Sequence, residues 1–128
     1  MLLNLQRYID NHPMGDIFIA LHQMGNHGPA YFKRYPDKFK KFLPTYETNQ
    51  LENCSQLEIR NTYDNAIVYT DYFLSKLITI LNNHNDQFEA ALIYVSDYGE
   101  SLAENGLYLH RLPYMFAPYT QKHVPLLR

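Results

Sequence analysis

Two polar loops carry the histidines and acids of this sequence that could do chemistry. His22 and His27 lie in the first loop, in the string HQMGNHGP. Asp97 begins the second loop, in the string DYGE, and His110 follows thirteen residues later. Imidazole and carboxylate groups together suit zinc, and the glycines beside His27 let the backbone bring its ring close to a ligand. Any one histidine could instead merely hydrogen-bond a loop carbonyl, so the hypothesis of a site depends on the two loops meeting.

Buried strands are the elements expected to bring these loops together. The run DIFIAL (16–21) and the run AALIYV (90–95) are apolar without alternation, which predicts strands covered on both faces of a parallel sheet. Each run leads directly into one of the polar loops. Because ligands of open α/β sheets bind beyond the carboxyl ends of the strands, we expect both loops at one rim. A third strand is predicted at 124–127.

Helices and one long loop connect the predicted strands. A short helical pattern at the start of the chain ends before Pro13. Ser55 and Glu58 match a capping box, and apolar residues then recur at spacings of three and four up to the polar cluster at 82–86. The stretch 22–53 predicts a long, aromatic-rich loop with at most short turns. A strand, a long helix and a strand together favour a right-handed crossover in an α/β sheet.

Composition limits the classes of function. The chain has 128 residues and a formal net charge of −2, which does not favour a nucleic-acid partner. No apolar run approaches the roughly 20 residues that cross a bilayer, so the chain by itself is expected to be soluble. There is one cysteine, Cys54, and therefore no internal disulfide.

Three strings of the sequence resemble one family of enzymes. They are LHQMGNHGPAYFKRYPDKF (21–39), NTYDNAIVYTDYF (61–73) and YVSDYGESLAENGLYLHRLPY (94–114). In order and spacing they resemble the lipid A phosphoethanolamine transferases, which include the mobile colistin-resistance enzymes. The resemblance implies an α/β fold, specifically a fragment of an alkaline-phosphatase-like (sulfatase-like) sandwich with a mostly parallel sheet covered by helices. It also implies that residues 1–128 are a partial catalytic domain, cut short at both ends.

The resemblance further implies a reaction and its participants. These enzymes move phosphoethanolamine from phosphatidylethanolamine to a lipid A phosphate through a phosphorylated threonine. They do so at the periplasmic face of the bacterial inner membrane, to which N-terminal helices absent from this sequence would attach the chain. The threonine and a glutamate zinc ligand precede the matching segment. By resemblance, Asp97 is a zinc ligand, and His27 and His110 bind the phosphoethanolamine group or a second metal ion. His22 is a weaker candidate for substrate binding.

Tyr98 departs from the family pattern at a position that the resemblance assigns to metal binding. Relatives read Ser-Asp-His-Gly-Glu-Ser, and the resemblance makes that histidine a zinc ligand. A phenol, with an unperturbed pKa of about 10, must lose its proton to a strong Lewis acid before it ligates well. We therefore expect zinc to be bound weakly or not at all, in preference to a tyrosinate ligand or a different metal.

Tyr46 is a second departure. Relatives pair two cysteines at the separation of Tyr46 and Cys54, so the resemblance implies that a disulfide is lost and that Cys54 is an unpaired thiol. Loss of such a disulfide costs about 2 to 5 kcal/mol. Alternatively, Cys54 is a buried and inert side chain.

The leading hypothesis is thus that the chain is part of a zinc-dependent phosphoethanolamine transferase. The isolated chain is expected to be inactive. The replacements at Tyr46 and Tyr98 motivate an alternative, a non-catalytic remnant or binding module of the same family. A sulfatase or phosphoglycerol transferase of the same superfamily is the third possibility.

Overall fold

Two helices frame the structure, a computed structural model that describes residues 1–110 and 112–128. Helix α1 (Leu2–Asp10) and helix α2 (Gln56–Asn82) are both confirmed as predicted. The capping box forms at the start of α2. The Glu58 amide donates to Ser55 Oγ over 3.3 Å, and the Ser55 amide donates to Glu58 Oε2 over 2.8 Å. Two amide donors that a helix start leaves free are thereby satisfied.

The long loop that precedes α2 packs against that helix, as its aromatic content predicted. It contains three short 3-10 turns, Tyr31–Lys33, Asp37–Phe39 and Leu51–Asn53. The fully buried Asn65 of α2 accepts hydrogen bonds from the Lys41 and Phe42 amides at 2.7 and 2.9 Å, and donates to the Phe42 carbonyl at 2.9 Å. One side chain thus satisfies three backbone groups of a loop that has no ladder of its own.

Short strands and a last helical turn complete the fold. The strands are β1 (Tyr94–Val95), β2 (Ser101–Leu102), β3 (Tyr108–Leu109) and β4 (Leu126–Leu127), and helix α3 is Tyr119–Lys122. Strand β1 pairs with β4, and β2 pairs with β3; both pairs are antiparallel. The hairpin of β2 and β3 and helix α3 were not predicted from the sequence.

The predicted strand at 16–21 is wrong for the part of the chain that the structure describes. This segment has no strand pairing, and Phe18 within it is 94% exposed. Of the run 90–95 only β1 is a strand, and of 124–127 only β4 is. The crossover between parallel strands is therefore not formed within these residues. Apolar composition favours burial, but a strand also requires a neighbour for its backbone groups, which the sequence pattern does not provide.

The core is divided into clusters, two of which concern function and stability. The cluster nearest the polar loops, called here the aromatic core, contains Tyr31, Tyr46, Leu51, Ile59 and Leu109. A second cluster joins α1 to α2 through Leu5, Ile9, Leu77 and Ile80. No helix of residues 1–110 and 112–128 is both long and apolar enough to cross a membrane.

Candidate functional site

Three rings from the two polar loops meet at one place on the surface. The ring centroids of His27 and His110 lie 5.3 Å apart, with the rings perpendicular. Tyr98 stacks on His110 at 3.7 Å and meets His27 edge-on at 5.7 Å. His27, Tyr98 and His110 are called here the ring cluster. The structure thus brings together the two polar loops, as predicted, although the predicted first strand is missing.

Glu100 is the side chain that links the two loops beneath the ring cluster. Only 4% of this side chain is exposed. Its Oε1 accepts a hydrogen bond from the Gly28 amide at 3.0 Å, and its Oε2 accepts one from the Tyr31 hydroxyl. Its Oε1 also lies 3.4 Å from His110 Nδ1. Because a buried carboxylate is stable only with such partners, Glu100 fixes the position of His27 relative to His110.

His27 is held with one ring nitrogen directed at its own loop. The Nδ1 atom lies 2.6 Å from the Gly28 carbonyl oxygen, which can only accept, so Nδ1 carries the proton. The Nε2 atom makes no hydrogen bond within the described residues and is the ring atom left for a ligand. The Arg34 guanidinium Nε donates to the His27 carbonyl at 2.9 Å and so holds the backbone of the loop.

Gly28 shows why this loop requires a glycine. A Cβ at this position would lie 2.4 Å from Leu109 Cδ2 and 2.8 Å from the Tyr31 hydroxyl oxygen. Both distances are shorter than a van der Waals contact permits. The absence of a side chain is therefore what lets the His27 loop approach the aromatic core and Glu100.

Tyr98, the first residue that departs from the family pattern, is a neutral phenol within the ring cluster. Burial raises its pKa, the charges of Asp97 and Glu100 raise it further, and Arg34 partly opposes them. A phenol that resists ionisation is a poor metal ligand. Within the described residues, no group of three or more His, Cys, Asp or Glu side chains is placed to hold a metal ion. The Tyr98 phenol therefore fits poorly at the position where the resemblance implies a zinc ligand.

The other predicted site residues lie outside the ring cluster. Asp97 is exposed, next to Tyr98. His22 is also exposed, and its ring takes no part in the contacts among the other three. The structure therefore supports a shared location for His27 and His110 but gives His22 no place in it.

Tyr46, the second departure, belongs to the aromatic core. It is 4% exposed, and its hydroxyl donates to the Pro29 carbonyl while accepting from the Tyr31 amide at 3.3 Å. Cys54 is a free, half-buried thiol that packs against the same cluster. Where the resemblance implies a disulfide in relatives, this chain has a buried phenol that ties the His27 loop to the core.

Two buried polar atoms near the ring cluster have no hydrogen-bond partner within the described residues. They are His110 Nδ1 and Asn26 Nδ2. The 3.4 Å separation of His110 Nδ1 from Glu100 is within reach of an ion pair but lacks hydrogen-bond geometry. Asn26 precedes His27 and uses its Oδ1 to accept from Thr70 at 2.9 Å. Unpaired buried polar atoms are uncommon, and a catalytic role or a bound water or ion is among their explanations.

Neither Glu100 nor Asn26 was assigned a role from the sequence. The available signal for Glu100 was its place in DYGE, one glycine after Tyr98, in a loop already chosen for its polar residues. No pattern singled out Asn26.

Comparisons with known proteins identify the family to which the chain is similar. The sulfatase family matches residues 1–128. The chain is 57% identical over 123 residues to phosphoethanolamine transferase EptA of Salmonella typhimurium, covering 96% of this chain and 22% of that protein. It is 49% identical over 125 residues to phosphatidylethanolamine transferase Mcr-1 of Escherichia coli, covering 98% and 23%. The chain thus spans about a fifth of the length of these relatives.

Solved structures of phosphoethanolamine transferase domains resemble this chain in fold. The C-terminal periplasmic domain of phosphoethanolamine transferase EptC from Campylobacter jejuni has a TM-score of 0.91 at 47% identity, covering 98% of this chain and 40% of that one. The soluble domain of lipooligosaccharide phosphoethanolamine transferase A from Neisseria meningitidis has a TM-score of 0.90 at 44% identity, covering 98% and 37%. These likenesses confirm the predicted fold class.

Proposed function

The chain belongs to the sulfatase family, and from this we propose that it forms part of an enzyme that transfers phosphoethanolamine to lipid A. The observation that carries the proposal is the ring cluster, in which His27 and His110 come from distant loops and Glu100 joins those loops. The names of the relatives, EptA and Mcr-1, support the substrate. The donor is phosphatidylethanolamine, and the location is the periplasmic face of the inner membrane. Residues 1–128 are one part of the catalytic domain.

The residues of this chain act by binding and orienting the phosphoethanolamine group. The Nε2 atom of His27 faces the ligand because Nδ1 is engaged by Gly28. When Nε2 is protonated, it donates to a phosphoryl oxygen, and His110 supplies a second ring at 5.3 Å. Two donors fixed by Glu100 and the aromatic core hold a phosphoryl group without reorganisation, which is the contribution that favours transfer.

We further propose that zinc is bound weakly or not at all at Asp97 and Tyr98. The phenol is neutral and its pKa is raised, so it would have to lose its proton against burial and the nearby acidic charges to become a ligand. The nucleophilic threonine of the family precedes the matching segment, so the 128 residues alone are expected to transfer nothing.

A second candidate function is a non-catalytic remnant or binding module of the same family. The stacking of Tyr98 on His110 favours it, because the phenol occupies space beside the His110 ring. A sulfatase or phosphoglycerol transferase of the superfamily has less support, since the relatives of high identity are named for phosphoethanolamine.

A chimera tests the proposal. The matching segment of Salmonella typhimurium EptA is replaced by this chain, with which it is 57% identical over 123 residues. Phosphoethanolamine on lipid A is then measured by mass spectrometry in cells lacking other transferases. We expect weak modification by the chimera and strong modification after Tyr98→His. In the Tyr98→His background, His110→Ala abolishes modification, whereas the matched control His22→Ala leaves it unchanged.

Two outcomes contradict the proposal. Equal loss in His22→Ala and His110→Ala would show that the ring cluster has no special role. A folded Tyr98→His chimera without activity would favour the remnant. Phosphoethanolamine on lipid A in cells that express only the 128 residues would contradict the predicted inactivity of the isolated chain.

A further inference from the structure

Arg34 places a positive charge beside the ring cluster. Its guanidinium Nε donates to the His27 carbonyl oxygen at 2.9 Å, so the charged group is attached to the residue that carries the first ring. The charge also acts on the Tyr98 hydroxyl. Burial and two neighbouring acids raise the pKa of Tyr98, whereas the charge of Arg34 lowers it. Arg34 therefore lies within reach of a ligand that contacts these rings.

Hydrogen bonds hold both ends of Arg34. Its backbone amide donates to the Tyr31 carbonyl at 2.9 Å, at the end of the 3-10 turn Tyr31–Lys33. Tyr31 is fully buried, and its hydroxyl donates to Glu100, the side chain that joins the two polar loops. The guanidinium end is held by His27, as described above. The cation is thus mounted on the same framework as the ring cluster, so little conformational entropy is lost when it binds a ligand.

The donors that remain on the Arg34 guanidinium suit a phosphate group. Its Nε is taken by the His27 carbonyl, whereas its terminal nitrogens make no hydrogen bond within the described residues. The ion pairs formed by residues 1–110 and 112–128 do not include Arg34. A guanidinium stays charged and presents its N–H groups in a planar fork that matches two oxygens of a phosphate. A phosphate at the ring cluster would therefore meet a preorganised pair of donors.

Neighbouring cations of the same loop are directed elsewhere. The Lys33 ammonium lies 5.4 Å from the centre of the Phe32 ring. The Lys40 ammonium pairs with Glu47 at 3.3 Å. Arg34 thus differs from these two in what its charged group contacts. Lys33, one residue away and of equal charge, is the natural control for any effect of charge alone.

We propose that Arg34 is a phosphate-binding residue of this site. Its terminal N–H groups donate to two oxygens of a phosphate that His27 and His110 contact from the other side. The inference rests on the proposed function and adds one residue to it. Both lipids of that reaction carry a phosphate, which is the transferred group of the donor and the accepting group of lipid A. Arg34 binds one of the two, and kinetics distinguish them.

Titration with inorganic phosphate tests binding without any transfer chemistry. The complete 128-residue chain is followed by NMR, and the ring resonances of His27 and His110 report occupancy. Arg34→Gln is expected to weaken phosphate binding about tenfold or more, because two charge-assisted hydrogen bonds are lost. Lys33→Gln is expected to change the affinity less than about twofold, since its charge lies over Phe32 and is screened. Ethanolamine, which has no phosphate, should leave the resonances unshifted.

Salt separates a phosphate contact from mere support of the His27 backbone. Loss of support alone would weaken binding equally at every ionic strength, whereas loss of a charge reduces the salt dependence of binding. We expect the effect of Arg34→Gln to shrink several-fold at about 1 M salt. Arg34→Lys keeps the charge without the fork, so its affinity should lie between those of the unchanged chain and Arg34→Gln. Circular dichroism checks that both variants are folded.

The Tyr98→His chimera identifies which lipid supplies the phosphate. The KM values for phosphatidylethanolamine and for lipid A are measured separately. Contact with the donor predicts that Arg34→Gln raises the first KM about tenfold, and contact with the acceptor predicts the same rise in the second. Lys33→Gln should leave both KM values unchanged.

Four results would overturn the inference. They are no phosphate binding by the unchanged chain, equal affinity after Arg34→Gln, an effect of Arg34→Gln that is the same at all salt concentrations, and unchanged KM values for both lipids in an active Arg34→Gln chimera. The last two would reduce Arg34 to a support of the His27 loop. If the Tyr98→His chimera transfers nothing, the proposed function fails, whereas Arg34-dependent binding of phosphate by the chain would still support the inference.

Discussion

Removal of the Tyr46 hydroxyl is the perturbation whose cost follows most directly from the structure. Tyr46 is buried, and its hydroxyl donates to the Pro29 carbonyl and accepts from the amide of the fully buried Tyr31. Tyr46→Phe keeps the ring but leaves both backbone groups without this partner. Each buried group left unsatisfied costs about 1–3 kcal/mol. Some relaxation of the loop is expected, so we predict a loss of about 2 kcal/mol in the free energy of unfolding.

Urea unfolding measures this change, with Tyr119→Phe as the matched control. Tyr119 is 70% exposed, and its substitution is expected to change stability by less than about 0.5 kcal/mol. Hydrogen exchange gives a local readout, since the Tyr31 amide should lose protection in Tyr46→Phe and retain it in the control. If both variants unfold alike and the Tyr31 amide exchanges at the same rate, Tyr46 does not tie the His27 loop to the core.

Two further predictions concern packing and pH. Gly99→Ala places a Cβ 1.9 Å from the Thr120 carbonyl oxygen and should cost about 1–3 kcal/mol in thermal unfolding; an unfolding temperature equal to that of the unchanged chain would contradict the packing. The His84 imidazole donates to a backbone carbonyl of α2 and to Asp10, and these bonds raise its pKa above the usual value. Because the folded-state pKa is raised, this stabilisation is complete below about pH 6.5 and is lost as pH rises through the folded-state pKa. The destabilisation by Asp10→Asn in urea should therefore shrink between about pH 6 and about pH 9, and a constant difference would contradict the pair.

The helices could be predicted from the sequence because their signals are local. The Ser55 capping box lies within four residues, and the apolar spacing of α2 repeats along one face of a single helix. Strands depend on partners distant in the chain. The run 16–21 has the composition of a buried strand but no pairing in the described residues, and β1 pairs with β4 rather than with a parallel neighbour.

The structure confirms that the two polar loops meet, but not the strands that were expected to bring them together. The sequence predicts that the two polar loops meet because two strands end at one rim, but the first of those strands is not formed. The loops meet because Glu100 bonds to Gly28 and Tyr31, and because the aromatic core packs beneath them. A carboxylate that joins two loops cannot be recognised from spacing alone, since its partners lie 69 and 72 residues away.

The structural role of Tyr46 could not be predicted from the sequence either. From the resemblance it was interpreted only as the loss of a cysteine. The structure shows that the phenol has its own hydrogen bonds to the loop it would otherwise leave unsupported.

The zinc content of the chimera tests the central claim most directly. The claim is that this chain retains the substrate-binding side of a family site and has lost a metal ligand at Tyr98. In the chimera with Salmonella typhimurium EptA, the missing ligands of the family come from the surrounding protein. We predict zinc well below stoichiometric amounts when Tyr98 is present and stoichiometric zinc after Tyr98→His, measured by atomic emission on purified protein. Stoichiometric zinc in both proteins, or in neither, would contradict the account.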